Sequence, residues 1–334
     1  MGVIVKMVKA KKFVLRHIFE GLPKPTDVEI VEEELPCIQH GEFLMETLFL
    51  SVDPYIRAFE QTVGDVVIGK QVAKIIESKS RRYPVGKYVV NHFGWRTYTI
   101  AKDIPAPEGI LPDFGNVPLS LALGMLGMTG NTAYFGFLEK CKPKRGDVVV
   151  ISGAAGAVGS HVGQIAKIFG CKVIGIMGSD AKGKYVTEEL CFDHFINYKK
   201  GTIKEDLNKF APKGVNCYFD GVGGELSSTI IHSMAPHGRI AVVGTASEYN
   251  DDPTKLPKVT PVQSAFVGKL LQMEGFQVYE YAPRWNEGIE QNLKWIQQGQ
   301  LKYKETITEG FENTFKAFVD MLQGKHTGKA IIKV

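Results

Sequence analysis

The chain has little of what marks the specialised classes of protein. Its 334 residues hold five cysteines, Cys37, Cys141, Cys171, Cys191 and Cys217, scattered and without a Cys-x-x-Cys pair. That number and spacing signal neither a disulfide framework nor a zinc knuckle, and reduced thiols in the cytosol are the simplest account. None of the eight histidines stands at a metal-ligand spacing such as His-Glu-x-x-His. Charge of one sign is not in excess. Lys and Arg number 40 against 36 Asp and Glu, a net charge of +4, too balanced for a nucleic-acid binder that works by neutralising phosphates. With 44% hydrophobic and 23% charged residues the composition excludes disorder. No apolar run approaches the roughly 20 residues that span a bilayer. Internal repeats and low-complexity segments are missing too. A folded chain of this length, at about 100–200 residues per domain, predicts two domains.

The N-terminal stretch is basic, with Lys6, Lys9, Lys11, Lys12 and Arg16 ahead of the first acid, Glu20. A transit peptide is rich in Arg and Ser, whereas this stretch has one Arg and no Ser. Its Val/Ile alternation reads as a first strand. Gly2 invites myristoylation, but position 6 is Lys rather than Ser or Thr, so no targeting signal is expected.

Up to about residue 130 the sequence is β-rich. Short apolar runs at Phe43–Val52, Val72–Ile76 and Tyr88–Val90 lie between Gly- and Pro-bearing turns, and a Pro-rich loop follows at Ile104–Pro118. Leu119–Leu138 reads as helical. From Asp147 the rhythm changes to strand, turn and helix: Val148–Ile151, then Ala157–Phe169, then strands at Lys172–Ile176, Val215–Phe219 and Ile240–Val243. Strands alternating with helices predict a doubly wound α/β domain with a parallel sheet. Lys329–Val334 reads as a final strand that returns to the first domain.

Between Val148–Ile151 and the following helix lies Ser152-Gly153-Ala154-Ala155-Gly156-Ala157-Val158-Gly159. A dinucleotide site needs this placement. Gly153 permits the sharp turn, Gly156 and Ala157 let the backbone approach a pyrophosphate, and Gly159 lets helix and strand pack closely. The helix N-terminus then offers unpaired N–H groups to the anion. A tight α/β turn without a ligand is the alternative. About 20 residues on, where NAD enzymes place an acid for the ribose hydroxyls, the chain reads Met177-Gly178-Ser179, followed by Lys182 and Lys184. A small residue, a hydroxyl and a cation suit a 2′-phosphate, so NADPH is expected rather than NADH. Asp180 is the discordant residue, expected to point away or to cap the next helix. Gly178–Lys184 also matches a nucleotide-triphosphate loop except that Tyr185 replaces the magnesium-binding Ser or Thr.

With these residues in view, the chain resembles the zinc-independent medium-chain dehydrogenase/reductases over essentially its full length, in the branch of prostaglandin reductases, leukotriene hydroxydehydrogenases and alkenal double-bond reductases. The matching stretches are Val52–Arg57, Gly127–Tyr134, Ala154–Gly159, Tyr218–Glu225, Gly244–Asn250 and Met273–Phe276. The resemblance implies a β-rich GroES-like catalytic domain, 1–126 with 300–334, around a Rossmann-like NADP-binding domain, 127–299. It implies a homodimer that reduces the carbon–carbon double bond of enones, alkenals or eicosanoids, 15-keto prostaglandins among them, with NADPH/NADP+ and no metal; the cysteine usage adds a cytoplasmic location. Zinc relatives carry Gly-His-Glu where this chain has Gly69-Lys70-Gln71.

By the same resemblance, cofactor contacts fall to Gly156, Ala157, Val158 and Gly159 at the pyrophosphate, Lys182 at the 2′-phosphate and Tyr198 near the adenosine. Thr132, Gly221, Val243, Gly244, Thr245, Tyr249, Phe276, Gln277, Val278 and His326 fall on the nicotinamide side. Three of these stretches depart from the pattern: Gly221 and His326 each stand where Asn is expected, and Asn131 replaces Leu. Tyr249 is the candidate catalytic residue, its phenol able to donate to a carbonyl oxygen as negative charge develops; a surface tyrosine covering the cofactor is the alternative. Tyr55 is a candidate substrate-binding residue, or else an aromatic packed after an Asp-Pro turn, and Asp53 with Arg57 is expected to form a structural ion pair. A lysine exposed at a helix start is the plain alternative for Lys182. Cys217, in a core strand, is expected to pack as a small hydrophobe. Two rival functions are a quinone reductase and an NADPH-binding protein without enzymatic activity.

Overall fold

The computed structural model describes residues 7–252 and 254–334. Gly2 and Lys6, on which the myristoylation argument turns, lie outside the described residues. The chain divides into two compact units. One comprises the chain up to Leu123 with Glu305–His326 and Ala330–Val334; the other comprises Gly124–Lys304 with Thr327–Lys329.

In the first unit, β1 (Val8–Leu15) and β2 (Val28–Leu35) pair antiparallel, with Lys9 opposite Glu34 and Lys11 opposite Glu32. The basic N-terminal stretch is thus one half of a charge-matched ribbon, with Lys12 ion-paired to Glu33. A second sheet, antiparallel from β15 through β3 to β7, contains β3 (Phe43–Ser51), β4 (Gln71–Ser78), β5 (Tyr88–Asn91), β6 (Tyr98–Ala101), β7 (Gly109–Ile110), β14 (Glu305–Glu309) and β15 (Lys329–Lys333). Its order is β14-β15-β3-β4-β5-β7, with β6 added on β3. The late strand β15 therefore inserts beside β3, Ile331 opposite Ser51. Phe13, Leu50, Ile56, Trp95 and Phe318 fill the interior, and the indole of Trp95 meets Phe13 and Phe318 edge-on at 5.6 and 5.7 Å. Two short helices, α1 (Tyr55–Ala58) and α9 (Thr314–Leu322), belong to this unit.

Within this interior the Gly69-Lys70-Gln71 segment holds an ionic cluster. Lys70 pairs with Glu108, both side chains only 3% exposed, and His92 Nε2 lies 3.1 Å from the same carboxylate. Burial alone raises the Glu108 pKa, but His92 and Lys70 outweigh it and bring the carboxyl down to about 2. Gln71 accepts from Thr47 Oγ1 at 3.1 Å and donates to the Gly94 carbonyl.

The second unit opens with α2 (Met128–Phe135), which runs on through a wider turn at Gly136–Cys141. The helical stretch expected over Leu119–Leu138 begins with a 3-10 turn, Leu119–Leu123, and resumes at α2. Gly130 explains the entry into α2: a Cβ there would stand 1.9 Å from the Met125 carbonyl oxygen. Strands and helices then alternate: β8 (Val148–Ser152), α3 (Ala157–Ile168), β9 (Lys172–Met177), α4 (Asp180–Lys184), β10 (His194–Asn197), α5 (Ile203–Phe210), β11 (Val215–Asp220), α6 (Gly224–His232), β12 (Met234–Val242), α7 (Gln263–Lys269), β13 (Gln272–Gly275) and α8 (Trp285–Gln297).

All strand pairings in this sheet are parallel, in the order β10-β9-β8-β11-β12-β13. Both faces are covered, which is why β8 and β9 read as unbroken apolar runs rather than alternating ones. β12 starts at Met234, earlier than expected at Ile240, because Pro236-His237-Gly238, a turn signal in sequence, is absorbed by a register shift against β11, with His237 at φ 59°. Among the described residues no helix is long and apolar enough to cross a membrane.

Candidate active site

The chain leaves β8, moves outward through β9 to β10, then crosses back to β11 and moves outward to β13. The switch point lies between β8 and β11, and ligands of open α/β sheets bind beyond the carboxyl ends of the strands at that place. The segments after β8 and β11 meet there. Gly153 adopts φ +63°, and Gly156, the N-cap of α3, donates its N–H back to the Gly153 carbonyl at 3.0 Å. A Cβ at Gly159 would lie 2.5 Å from Gly153 O and 2.8 Å from Ala154 Cα, so no larger residue allows this approach of helix to strand. No side chain caps α3, and its first N–H groups, at Ala157 and Val158, face the turn with the positive end of a 12-residue helix. This is a cradle for an anion.

Across the switch point Asp220, 2% exposed, organises the loop after β11. Its Oδ1 accepts from Ser152 Oγ at 3.2 Å and from the N–H groups of Val222 and Gly223 at 3.0 Å each, and its Oδ2 accepts from Ser227 Oγ at 2.6 Å. Gly221 N–H donates to Ser152 Oγ at 3.0 Å. The loop after β12 is tied to this one: Ala246 N–H donates to Gly221 O at 3.2 Å and Ser247 N–H to Val222 O at 3.0 Å. Val243 and Gly244 lead into it. Tyr249 folds back over Gly244, its phenol oxygen accepting the Thr245 N–H at 3.3 Å, which leaves its own proton available to a ligand. After β13, Phe276 is buried and stacks on Tyr281 at 5.5 Å, Gln277 is exposed, and Val278 is buried.

At the other side of β8, Ser179 rather than Asp180 caps α4, accepting the Lys182 N–H at 3.3 Å. Of the two places expected for Asp180, the helix cap is the one it does not take. Its carboxylate instead accepts from Asn197 Nδ2 at 2.9 Å and Lys200 Nζ at 2.8 Å, and those hydrogen bonds lower its pKa. Lys182 is half-buried on the first turn of α4; burial, and then the charge of Lys199, lower its pKa. Tyr198 follows β10 with its phenol across Gly178. Gly178–Lys184, the nucleotide-triphosphate look-alike, is for the most part helix, and Tyr185 is buried in the core.

Apart from Thr132, the nucleotide residues expected in this unit all lie on segments that follow the carboxyl ends of strands β8 to β13. Thr132 sits on α2 and donates its hydroxyl to Met128 O at 2.8 Å. Asn131 turns away from these segments. Its side chain is fully buried, donating to Trp285 O at 3.0 Å, and its Oδ1 lies where a Cβ on Gly288 would be, 2.1 Å away. Its departure from the family pattern therefore bears on the packing of α2 against α8. Tyr55 lies on α1 in the first unit, its ring 5.6 Å from Phe59. Arg57, expected to pair with Asp53, donates instead to Gly21 O at 3.2 Å, and Asp53 accepts from Ser51 Oγ. His326 also belongs to the first unit; two residues later Gly328 donates to Ala155 O at 2.8 Å. Cys217 is fully buried, and it also receives Arg239 Nη2 at 3.2 Å. Lys199, whose Cε lies beside Gly178, and Asp220, which holds the loop after β11, were not singled out in the sequence; the lysine pair at positions 199 and 200 was the available signal for the first.

No group of three His, Cys, Asp or Glu side chains that could hold a metal ion occurs among the described residues. The cradle of Gly156–Gly159, the capless α3 and the lysines beyond β9 fit a phosphorylated dinucleotide.

Comparison with known proteins agrees with this geometry. Residues 11–106 match the family model of the N-terminal domain of oxidoreductase, and residues 157–297 that of zinc-binding dehydrogenase. The chain is 43% identical over 335 residues to prostaglandin reductase 1 of Bos taurus, covering 98% of this chain and all of the relative. It is 34% identical to the NADP(+)-dependent 2-alkenal reductase of Nicotiana tabacum, covering 98% of each. Among solved structures, CurA of Vibrio vulnificus in complex with NADPH superimposes with a TM-score of 0.90 at 33% identity, covering 97% of this chain and 99% of that one.

Proposed function

This chain belongs to the zinc-independent medium-chain dehydrogenase/reductases, in the branch of the prostaglandin and alkenal double-bond reductases, and from that premise we propose that it uses NADPH to reduce the carbon–carbon double bond of α,β-unsaturated aldehydes and ketones. Eicosanoid ketones such as 15-keto prostaglandins fall within this substrate class. The observation that carries the reading is the arrangement of the glycine cradle, Lys182 and Tyr249 on carboxyl-end segments of one parallel sheet, after β8, β9 and β12.

Bound NADPH supplies the hydride for the β-carbon. The chain's own residues do the rest. Gly156–Gly159 and the N-terminus of α3 hold the pyrophosphate through backbone N–H groups. Lys182 meets the 2′-phosphate, with Tyr198 beside the adenosine. Thr132, Gly221, Val243–Thr245, Phe276–Val278 and His326 shape the nicotinamide side. Tyr249 donates its phenol proton in a hydrogen bond to the substrate carbonyl oxygen, holding the charge that develops there without a metal. Asp220 positions the Gly221–Gly223 loop. We assign substrate binding to Tyr55, and the catalytic domain to the first unit.

We further infer a homodimer in the cytoplasm. The sheet edge supports the first inference: all four residues of β13 are exposed, Met273 at 41%, with Val267 and Leu270 close by at 79 and 62%, and an open edge strand beside exposed apolar side chains suits a partner. Five free cysteines suit a reducing compartment.

The test is a screen of cofactor oxidation with alkenals, enones, 15-keto prostaglandins and quinones, using NADPH and NADH in parallel. Turnover of enones with NADPH is the expected result. Turnover of quinones alone makes the protein a quinone reductase, and NADPH binding without any turnover removes the enzyme assignment.

A further inference from the structure

We propose that Lys199 is a second phosphate-binding cation, acting with Lys182 to select a 2′-phosphorylated adenine dinucleotide, and that the Asp180–Lys200 ion pair keeps the only discordant acid of the α4 segment out of that site. The proposal rests on the NADPH reading above and adds a specificity-determining residue to it.

Gly178 stands at the carboxyl end of β9, where an acid that grips ribose hydroxyls would be carried. The space a side chain would take there is already filled. A Cβ at Gly178 would lie 3.1 Å from both Cε1 and the hydroxyl of Tyr198 and 3.3 Å from Cε of Lys199. The stem of Lys199 thus lies across the strand end, with its ammonium one bond further on. The register of the sheet is responsible: Asn197 sits opposite Met177 on the neighbouring parallel strand, so the residues after β10 fall beside those after β9.

The charges around this point are sorted. Lys200 pairs with Asp180 at 2.8 Å, and Asn197 holds the same carboxylate at 2.9 Å. Lys199 forms no ion pair among the described residues, although the next residue, Lys200, does. Its charge reaches Lys182, whose amine is disfavoured in its charged form first by burial and then by Lys199. A fold gains nothing from holding two like charges together beside a half-buried amine. A doubly charged phosphate placed between them turns the repulsion into two charge-assisted contacts. A ribose hydroxyl gives no such return, so the arrangement discriminates between the phosphorylated and unphosphorylated cofactors.

The experiment is calorimetric titration of the full-length protein with NADP+, 2′,5′-ADP, NAD+ and 5′-ADP. Wild type, Lys199→Met, Lys199→Arg and Lys182→Met are compared. Lys199→Met is expected to weaken NADP+ and 2′,5′-ADP by about 5- to 20-fold while leaving NAD+ and 5′-ADP within about twofold, as the loss of one charged phosphate contact predicts. Lys199→Arg keeps the charge and should restore most of the affinity. In the ligand-free protein, the NMR titration of Lys182 should move up in Lys199→Met, a change that a merely structural lysine would not produce. NADP+ affinity that survives Lys199→Met but falls in Lys182→Met overturns the proposal and leaves the NADPH reading standing. Wild-type protein that binds NAD+ as tightly as NADP+ overturns both.

Discussion

In the first unit Lys70 and Glu108 are buried as ions and answer each other's charge, with His92 alongside. The second unit buries, besides the Asp220 carboxylate, a cluster of polar groups that stay neutral. His161, Asn292 and Asn131 are all fully buried there. His161 Nε2 lies 3.2 Å from Asn292 Oδ1, Asn292 donates to Met125 O at 3.1 Å, and burial holds the imidazole down to about 4. Beyond the strand ends of the second unit, Lys199 forms no ion pair among the described residues. Charge that is matched inside a fold serves the fold. Charge that is collected without a match serves something that arrives later.

The comparison breaks first at Lys70. Lys70→Met leaves the Glu108 carboxylate buried beside one partner fewer, and about 3–5 kcal/mol of stability should be lost in urea unfolding. Adding Glu108→Gln should recover part of it. A loss below about 1 kcal/mol would show that the pair is no more than a surface-like contact. Tyr249→Phe is the opposite kind of change: stability should stay within about 0.5 kcal/mol, while enone reduction slows by about 10- to 1,000-fold. Unchanged single-turnover reduction removes Tyr249 from its role.

Acid sharpens the contrast between the two interiors. The folded pKa of His161, about 4, lies below the unfolded value near 6.5. Its contribution is therefore fully present above about pH 6.5 and lost as the pH falls toward 4, because only the unfolded chain gains the proton; the loss is about 3 kcal/mol. Glu108, held at about 2, gives up its contribution only at lower pH, from about 4.5 downward through 2. Melting temperatures followed across this range should show the His161 component vanish in His161→Gln, and a slope that persists in that variant assigns the loss to other groups. The smallest effect is expected at Gly221. A Cβ there meets nothing nearer than Val243 Cγ2 at 3.8 Å, and its φ lies outside the left-handed region. Gly221→Asn should fold with stability equal or higher by about 0.4–1 kcal/mol and, by restoring the family's amide, bind NADP+ a few-fold more tightly in titration.

The sequence made some of this legible and hid the rest for identifiable reasons. The cradle at Gly153–Gly159 was readable because strand, turn and helix are contiguous, so spacing alone determines geometry. Lys199 was not, because its neighbours Gly178 and Lys182 reach it only through the pairing of β10 with β9. For the same reason Asp180 read as a contradiction until Lys200, 20 residues away, was found on it. Gly69-Lys70-Gln71 was read only for the zinc ligands it lacks; the carboxylate that gives Lys70 its place comes 38 residues later. Asn131, noted as a departure near the nucleotide, belongs to a helix contact with Trp285, 154 residues on. Local chemistry is visible in a sequence; the partner that decides what a charged group is for is brought by tertiary register.

The insertion of β15 beside β3 has a consequence for how the protein is made. On the ribosome β3 to β7 emerge before the second unit, yet their sheet stays two strands short until Gly124–Lys304, and then β14 and β15, have been translated. The nascent chain thus carries an open groove along β3 for most of its synthesis, and the unit started first is the one completed last.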